Sequence, residues 1–281
     1  MRKIDAHQHF WQYSPRTHGW ISDDMAVLKR DFLPDDLTPF LEANNCVGCV
    51  AVQASQTLAE TNWLLSLAAQ NDFILGVVGW VDLQDSQLID TLENLTNYRK
   101  LKGVRHLIQD EPDDRFMLQT EFIRGVNHLA KYELTYDLLV FDKHLPVALS
   151  FIEQISEVPI VIDHIAKPKI GKKELQPWKQ NITELAQNSS AYCKVSGMVT
   201  EANWHNWKYD NLLPYLDTVV EAFGTSRLMI GSDWPVCLLS SEYAGVIEIV
   251  ERYFSSFSEE EQRQIFFQNA VDFYRLSEIK Y

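Results

Sequence analysis

A chain of 281 residues exceeds the roughly 150 residues per domain used as a rule of thumb, but a single α/β barrel takes roughly 250. Since 46% of the residues are hydrophobic, 23% are charged and no apolar run approaches the roughly 20 residues of a membrane helix, the composition is typical of a soluble globular protein. A formal net charge of −14 argues against nucleic acid or an anionic membrane as a partner, because both bind clustered lysine and arginine.

The start of the chain and its cysteines bear on the compartment. MRKIDAHQHF carries charge but lacks the apolar region and cleavage site of a secretory signal, so we expect a cytoplasmic protein. Cys46 and Cys49 form a C-V-G-C pair that could be a redox pair or half of a zinc site, while Cys193 and Cys237 stand apart. The pair leads into an apolar run and no second CxxC follows, which favours buried, reduced thiols.

Eight short apolar runs, many of them rich in β-branched residues, recur along the chain and predict eight strands. They are KIDAHQHF, CVAVQAS, FILGVVGWV, LKGVRHLIQ, LTYDLLVF, PIVIDHIA, AYCKVSGM and RLMIGSDW. Apolar residues three and four apart predict helices at 35–44, 60–70, 85–98, 118–132, 144–157, 177–188 and 211–223. A further segment, 258–275, opens with Ser258 and has Glu261 three residues later, which is a capping-box pattern.

The order of these elements predicts the fold class. Nearly continuous apolar strands that alternate with helices indicate a parallel sheet, and eight of them indicate a closed (β/α)8 barrel. An open doubly wound sheet is the alternative, but no strand is followed by its glycine-rich nucleotide-binding motifs. We expect one domain over residues 1–281, with a long irregular loop at about 198–210 after the seventh strand, where barrel loops lie over the mouth and often carry substrate contacts.

In such a barrel, functional residues gather where the strands end. Polar residues at these positions are His7 and His9 on the first strand, Arg105, His106 and Gln109 on the fourth, Asp163 and His164 on the sixth, and Ser232, Asp233 and Trp234 on the eighth. An H-x-H pair alone is a weak signal, and a chance pair in a strand is the simpler explanation. A functional role for the pair gains support because His164 and Asp233 occupy the corresponding positions at the ends of the sixth and eighth strands. Buried polar groups need partners, and these four could provide them for one another.

Three motifs point to a family. D-A-H-Q-H-F, D-H-I-A-K-P and G-S-D-W-P, together with G-V-R-H-L-I-Q-D-E-P-D-D-R-F, resemble the amidohydrolase superfamily and, within it, the sugar-lactonase branch of the L-fuconolactonase and rhamnonolactonase type. The resemblance covers nearly the whole chain. It implies hydrolysis of a lactone ring at His7, His9, His164 and Asp233, with a sugar lactone as the small-molecule partner. A homo-oligomer is compatible with the sequence.

The sequence also departs from this family's metal-dependent members. They add a bridging Lys or Glu on the fourth strand and a His on the fifth, whereas here the fourth run ends LIQ and LTYDLLVF has no His. His7, His9, His164 and Asp233 could still bind one Zn²⁺ or another divalent metal. The missing ligands favour metal-independent catalysis with no required cofactor. The alternatives are a zinc-dependent decarboxylase or amide hydrolase on the same barrel, and a non-catalytic barrel that binds a small molecule.

Lactone hydrolysis needs a base for water and donors for the carbonyl oxygen. We assign Asp233 as the base, and His7, His9 and His164, aided by Arg105, as the polarising groups. Only one of Arg105 and its neighbour can face the mouth, and Arg105 is chosen because Gln109 then lies on the same side. The predicted substrate contacts are Trp11, Trp80 and Trp234 as stacking rings, and Gln53, His106 and Gln109 as hydrogen-bonding groups. Arg115, in a charged loop, is a weaker candidate.

Overall fold

The computed structural model describes residues 1–277, and its strands confirm the predicted barrel. All eight pair in parallel in chain order to form one sheet. They are β1 (Lys3–Gln8), β2 (Cys46–Val52), β3 (Ile74–Gly79), β4 (Leu101–His106), β5 (Thr135–Leu138), β6 (Ile160–Ile162), β7 (Tyr192–Val195) and β8 (Leu228–Ile230). Each coincides with one of the eight apolar runs.

Helices alternate with these strands as the periodicity predicts. They are α1 (Pro34–Ala43), α2 (Leu58–Gln70), α3 (Leu88–Leu95), α4 (Thr120–His128), α5 (Leu145–Ile152), α6 (Trp178–Gln187), α7 (Met198–Glu201), α8 (Tyr209–Phe223), α9 (Tyr243–Phe254), α10 (Glu259–Arg263) and α11 (Asn269–Phe273), with a π-helical turn at Gln264–Gln268 between the last two. Ser258 caps α10, since its Oγ accepts a hydrogen bond from the Glu261 backbone N–H at 3.3 Å.

Two details of the chain differ from the prediction. The segment 198–210 begins with the short helix α7 and only then becomes irregular. Helix α9 was not predicted at all, although its sequence YAGVIEIVERYF has apolar residues three and four apart. Among the described residues, no helix is long and apolar enough to cross a membrane.

The barrel closes where β1 meets β8, and this junction brings the residues at the end of the first strand next to those at the end of the last. The Asp233 N–H donates to the His7 carbonyl at 2.8 Å, and the His9 N–H donates to the Trp234 carbonyl at 2.7 Å. Asp5 strengthens the junction, because its carboxylate accepts from the Ser232 N–H at 2.9 Å and from the Ser232 hydroxyl at 2.6 Å. The H-x-H strand is therefore held directly beside the strand that precedes Asp233.

Two apolar layers surround the sheet. The larger one fills the space between strands and helices, as in other barrels covered by a ring of helices. The smaller one lies inside the barrel and includes Ile4, Val50, Val161 and Met229. Residues of α11 and the turn after it pack into this inner layer, and Phe273 contacts Tyr192, the first residue of β7, with ring centroids 5.0 Å apart. The far end of the barrel is thus filled by apolar side chains, which leaves the end where the strands finish for the site.

Candidate active site

Four predicted residues, His7, His9, His164 and Asp233, meet at the ends of the strands. The Nε2 atoms of His7 and His9 are 3.2 Å apart, and the rings of His7 and His164 have centroids 4.3 Å apart. Asp233 Oδ1 lies 3.4 Å from His9 Nε2 and 3.8 Å from His164 Nε2. All four side chains are at least nine-tenths buried, so a substrate that reaches them leaves water behind.

Hydrogen bonds outside the cluster orient two of the imidazoles. His9 Nδ1 donates to the Val52 carbonyl at 2.8 Å, so its Nε2 faces the cluster. His164 Nδ1 lies 2.9 Å from the Ser196 hydroxyl, so its Nε2 faces Asp233. Glycine is needed at position 197, because its φ is +64° and a Cβ there would lie 2.6 Å from His164 Nδ1.

The backbone at two of these residues is strained. Asp233 has φ of 58°, and the four residues from His164 to Lys167 all have φ between 46° and 58°. Non-glycine residues adopt this left-handed region rarely, and a residue held there costs about 1–3 kcal/mol. The run turns the chain back over the end of β6. Such strain is common where a fold fixes catalytic side chains.

Burial decides the protonation of the cluster. Desolvation lowers the pKa of His164 to about 4 and holds the pKa of His7 well below its usual value, so both imidazoles are neutral near pH 7. Burial also acts to raise the pKa of Asp233, but the attraction of His164 and the hydrogen bond with His9 outweigh it and lower that pKa. Asp233 is therefore an ionised carboxylate between imidazoles, as a general base must be.

Beneath His7, the barrel contains a buried ionic network that sequence reasoning missed. Lys194 Nζ lies 2.5 Å from Asp137 Oδ2, 3.0 Å from Asp163 Oδ1 and 3.2 Å from His7 Nδ1. The Tyr274 hydroxyl donates to Asp137 Oδ2 at 2.7 Å. Asp137 and Lys194 are the charged residues within the apolar runs LTYDLLVF and AYCKVSGM, and that contrast is the signal that could have identified them.

Arg105 belongs to the same network and lies against His7. Its Nη1 is 3.0 Å from Asp163 Oδ2 and 3.3 Å from His7 Nε2, and its Nη2 donates to the Gln53 carbonyl and, at 3.2 Å, to Gln53 Oε1. The Gln53 amide returns a hydrogen bond to the Arg105 carbonyl at 3.3 Å. The predicted polarising group and the predicted substrate contact thus bind each other.

Trp80 and His106 lie next to one another at the ends of β3 and β4. The Trp80 Nε1–H donates to His106 Nδ1 at 3.3 Å, and His106 Nε2 donates to Glu111 Oε1 at 2.7 Å. Burial lowers the pKa of His106, so it is neutral and this tautomer is fixed. Its ring stacks on Phe116 with centroids 5.1 Å apart. Trp80 itself is half-buried and therefore accessible from the mouth.

Gln109 does not share strand β4 with Arg105, so the prediction that strand alternation puts both on one side is wrong. Strand β4 ends at His106, and Gln109 lies in a separate turn at Ile108–Asp110, so the alternation of a strand does not reach it. Its Oε1 is nevertheless buried without a hydrogen-bond partner among the described residues. Arg115 is exposed in the following loop.

The other two predicted stacking rings lie in the apolar core. Trp11 is 1% exposed, donates from Nε1 to the Arg30 carbonyl at 3.0 Å and packs against Phe32. Trp234 is fully buried and packs edge-on against Phe10 and Phe32. Neither ring has a face exposed at the mouth.

The loop after β6 and helix α7 meet beside the cluster. Lys167 Nζ lies 4.0 Å from Glu201 Oε1, and the two side chains are 19% and 23% exposed. Burial raises the pKa of Glu201 and Lys167 opposes that rise. Both residues were missed from the sequence, although Lys167 lies within the motif D-H-I-A-K-P.

The cysteines take no part in this site. All four are buried and free, and burial raises the pKa of each thiol, to about 12 for Cys46. A thiol with so high a pKa forms little thiolate and is unreactive near neutral pH.

Some of the cluster could bind a metal ion. Ligand atoms of His7, His164 and Asp233 lie within 4.8 Å of one another, and imidazoles with a carboxylate suit Zn²⁺. The positive charges around His7 would repel a metal ion bound by it, because the Arg105 guanidinium lies 3.3 Å from its Nε2 and the Lys194 ammonium 3.2 Å from its Nδ1. The ligand types of this cluster thus suit a divalent cation. The two cationic side chains beside His7 do not suit a metal ion bound by that imidazole.

Comparison with known proteins gives a consistent result. The model of a family described as amidohydrolase matches residues 4–276. The chain is 41% identical over 266 residues to an L-fucono-1,5-lactonase of Burkholderia multivorans, covering 90% of this chain and 89% of that protein. It is 36% identical over 281 residues to an L-fucono-1,5-lactonase of Burkholderia ambifaria, covering 98% and 96%. A solved amidohydrolase from Burkholderia multivorans with bound zinc has a TM-score of 0.93 at 39% identity, covering 98% of this chain and 100% of that one.

Proposed function

This chain belongs to the amidohydrolase family, and from that membership and its site we propose that it is a hydrolase that opens the ring of a sugar-acid lactone. The observation that carries the proposal is Asp233, an ionised carboxylate 3.4 Å from His9 and 3.8 Å from His164 at the closed junction of the barrel. A buried carboxylate beside the neutral imidazole of His164 suits the deprotonation of water.

The reaction uses Asp233 twice. It first accepts a proton from the water that attacks the lactone carbonyl, and it then returns this proton to the ring oxygen as the carbon–oxygen bond breaks. His9 and His164 keep the carboxylate ionised and aimed at the water. A lactone has an alkoxide-type leaving group, which needs less assistance than the amine of an amide, so a site with few donors suits a lactone.

We further propose that the reaction needs no metal. His7 would be one of the metal ligands, but Arg105 already places a positive charge beside one of its ring nitrogens and Lys194 places another beside the other. The zinc in the solved relative supports the alternative, a zinc-dependent hydrolase that uses His7, His164 and Asp233 as ligands. The two mechanisms differ in whether removal of metal abolishes turnover.

The substrate we propose is L-fucono-1,5-lactone or a closely related aldonolactone. Both Burkholderia relatives are named for that compound. The half-buried Trp80 offers an aromatic face at the mouth, and sugar rings stack their C–H faces on such surfaces. The Oε1 of Gln109, which has no hydrogen-bond partner among the described residues, and the Glu111 carboxylate, which accepts from His106, are the acceptors that we propose for hydroxyl groups.

The test is a panel of freshly prepared aldonolactones, with acid release followed by a pH indicator. Protein purified without chelators is compared with protein dialysed against chelator, and the metal content of both is measured. We expect fastest turnover of L-fucono-lactone and equal rates for the two preparations. No turnover of any lactone would refute the proposed function. Turnover that chelator abolishes and zinc restores would instead establish the metal-dependent alternative.

A further inference from the structure

The proposed hydrolysis leaves one requirement without a residue. When water attacks the lactone carbonyl, the oxygen becomes negative and needs a positive charge or a donor beside it. Arg105 was the candidate, but its guanidinium is held by Asp163 and Gln53. Lys194 is fully buried and is held by two carboxylates. The terminal donors of both cations are thus already bound to acceptors of the protein rather than left for a substrate oxygen.

We propose that Lys167 is the catalytic residue that stabilises the negative carbonyl oxygen. This inference rests on the proposed lactone hydrolysis. Lys167 follows His164 by three residues, in the left-handed run that folds back over the end of β6. Its N–H donates to the His164 carbonyl at 2.8 Å, which ties the loop to the site. Its charge acts on both neighbours, since it lowers the pKa of His164 and of Asp233.

The ammonium group of Lys167 is available to a ligand. Its nearest described carboxylate is Glu201 at 4.0 Å, a separation longer than a hydrogen bond, and the Phe141 ring centroid lies 5.6 Å away. With a side chain 19% exposed, it is neither fully solvated nor consumed by a buried partner. Glu201 thus offsets the charge of the cation without a hydrogen bond, which leaves the N–H donors of Lys167 for the carbonyl oxygen.

The step balances with the groups at the site. The water oxygen forms a bond to the carbonyl carbon, the π electrons move to the carbonyl oxygen, and Asp233 takes the proton. Lys167 donates a hydrogen bond to that oxygen while it is negative. When the carbonyl re-forms, the bond to the ring oxygen breaks and Asp233 gives that oxygen its proton. Lys167 stays protonated throughout.

The first test is Lys167→Met, with lactone turnover as the readout. Loss of one such donor lowers kcat by about 100- to 1000-fold, and KM should change little because the contact forms in the transition state. Lys169→Met is the matched control, since Lys169 lies on the same loop, is 44% exposed and pairs with Asp142 at 3.2 Å. It should keep the wild-type rate. A Lys167→Met enzyme within tenfold of wild type refutes the inference while leaving the lactonase proposal intact.

A second test restores the charge chemically. Lys167→Cys is alkylated with 2-bromoethylamine, which replaces bromide by sulfur and rebuilds an ammonium side chain of nearly the same length. The four native thiols are buried and of raised pKa, so only the new cysteine should react. Activity should return with this reagent and not with neutral iodoacetamide. Equal activity after either reagent would show that the ammonium has no role, whereas inactivity of the unsubstituted protein on every lactone would refute the lactonase proposal itself.

Discussion

Substitution of Lys194 by methionine tests whether the barrel interior depends on its ionic network. The methionine side chain is similar in length and carries no charge. The Lys194 side chain is fully buried, and its ammonium contacts Asp137, Asp163 and His7. In the variant, Asp163 would still have a cationic partner, Arg105, at 3.0 Å. Asp137 would have only the hydrogen bond from the Tyr274 hydroxyl at 2.7 Å. The variant therefore leaves one buried carboxylate without a cation.

The expected loss is large. Removing one partner of a buried ion pair costs about 3–5 kcal/mol, because the other charge stays desolvated. For a chain of this size each kcal/mol lowers Tm by about 2–4 °C, so Tm should fall by roughly 6–20 °C. The loss should also depend on pH. Burial raises the pKa of Asp137 to about 6 even though Lys194 lowers it, and without Lys194 the pKa rises further. The folded variant binds this proton more tightly than the unfolded chain, so its stability falls as pH rises through 6 towards 8.

Urea unfolding at pH 5 and pH 8, followed by circular dichroism and tryptophan fluorescence, measures both effects. The double variant Lys194→Met with Asp137→Asn removes the orphaned charge and should recover much of the stability at pH 8. A single variant within about 1 kcal/mol of wild type at pH 8 would contradict the reasoning. So would a loss that is the same at both pH values and is not relieved in the double variant.

Three further outcomes are expected. Asp233→Asn should lower kcat on the lactone by about 100- to 10,000-fold without changing urea unfolding, and an indicator assay that finds a rate within tenfold of wild type would remove Asp233 from the role of base. Burial lowers the pKa of His164 from 6.5 to about 4, so the stability that its neutral form contributes is present above pH 6.5 and lost as pH falls to 4. The unfolding free energy of wild type relative to His164→Asn should fall by about 3 kcal/mol over this range, and a constant difference would refute the assignment. Trp80→Leu should raise KM by up to about tenfold with kcat nearly unchanged, consistent with roughly 0.5–1.5 kcal/mol for aromatic stacking, and an unchanged KM would separate the ring from the substrate.

The barrel was predictable because its signal is repeated and local. Each strand is an apolar run and each helix a spaced pattern, so one missed helix, α9, did not alter the fold class. The rule that strand ends form the site then brought His7, His9, His164 and Asp233 together without knowledge of any contact. The capping pair of Ser258 and Glu261 could be predicted for the same reason, since both partners lie within one turn.

Contacts between strands distant in sequence were not predictable in this way. Asp137 and Lys194 are 57 residues apart, and nothing in either run shows that the two side chains share the barrel interior. Alternation along β4 separates Arg105 from His106, but the hydrogen bonds of Arg105 with Asp163 and Gln53 could not be predicted from it. Trp11 and Trp234 follow strand ends in the sequence, yet Phe32 packs against both rings and buries them.

The placement of charge along the barrel supports the proposal that this chain, unlike the metal-dependent members of its family, works without a metal. Those members have a bridging Lys or Glu on the fourth strand, and here Arg105 extends from that strand to within 3.3 Å of His7. Inside the barrel two cations, Arg105 and Lys194, offset two carboxylates, Asp163 and Asp137. Within the cluster Asp233 carries a negative charge, while burial keeps His7 and His164 neutral. In the proposed metal-free reaction the Lys167 ammonium supplies positive charge near Asp233, whereas a divalent cation would add its charge next to Arg105.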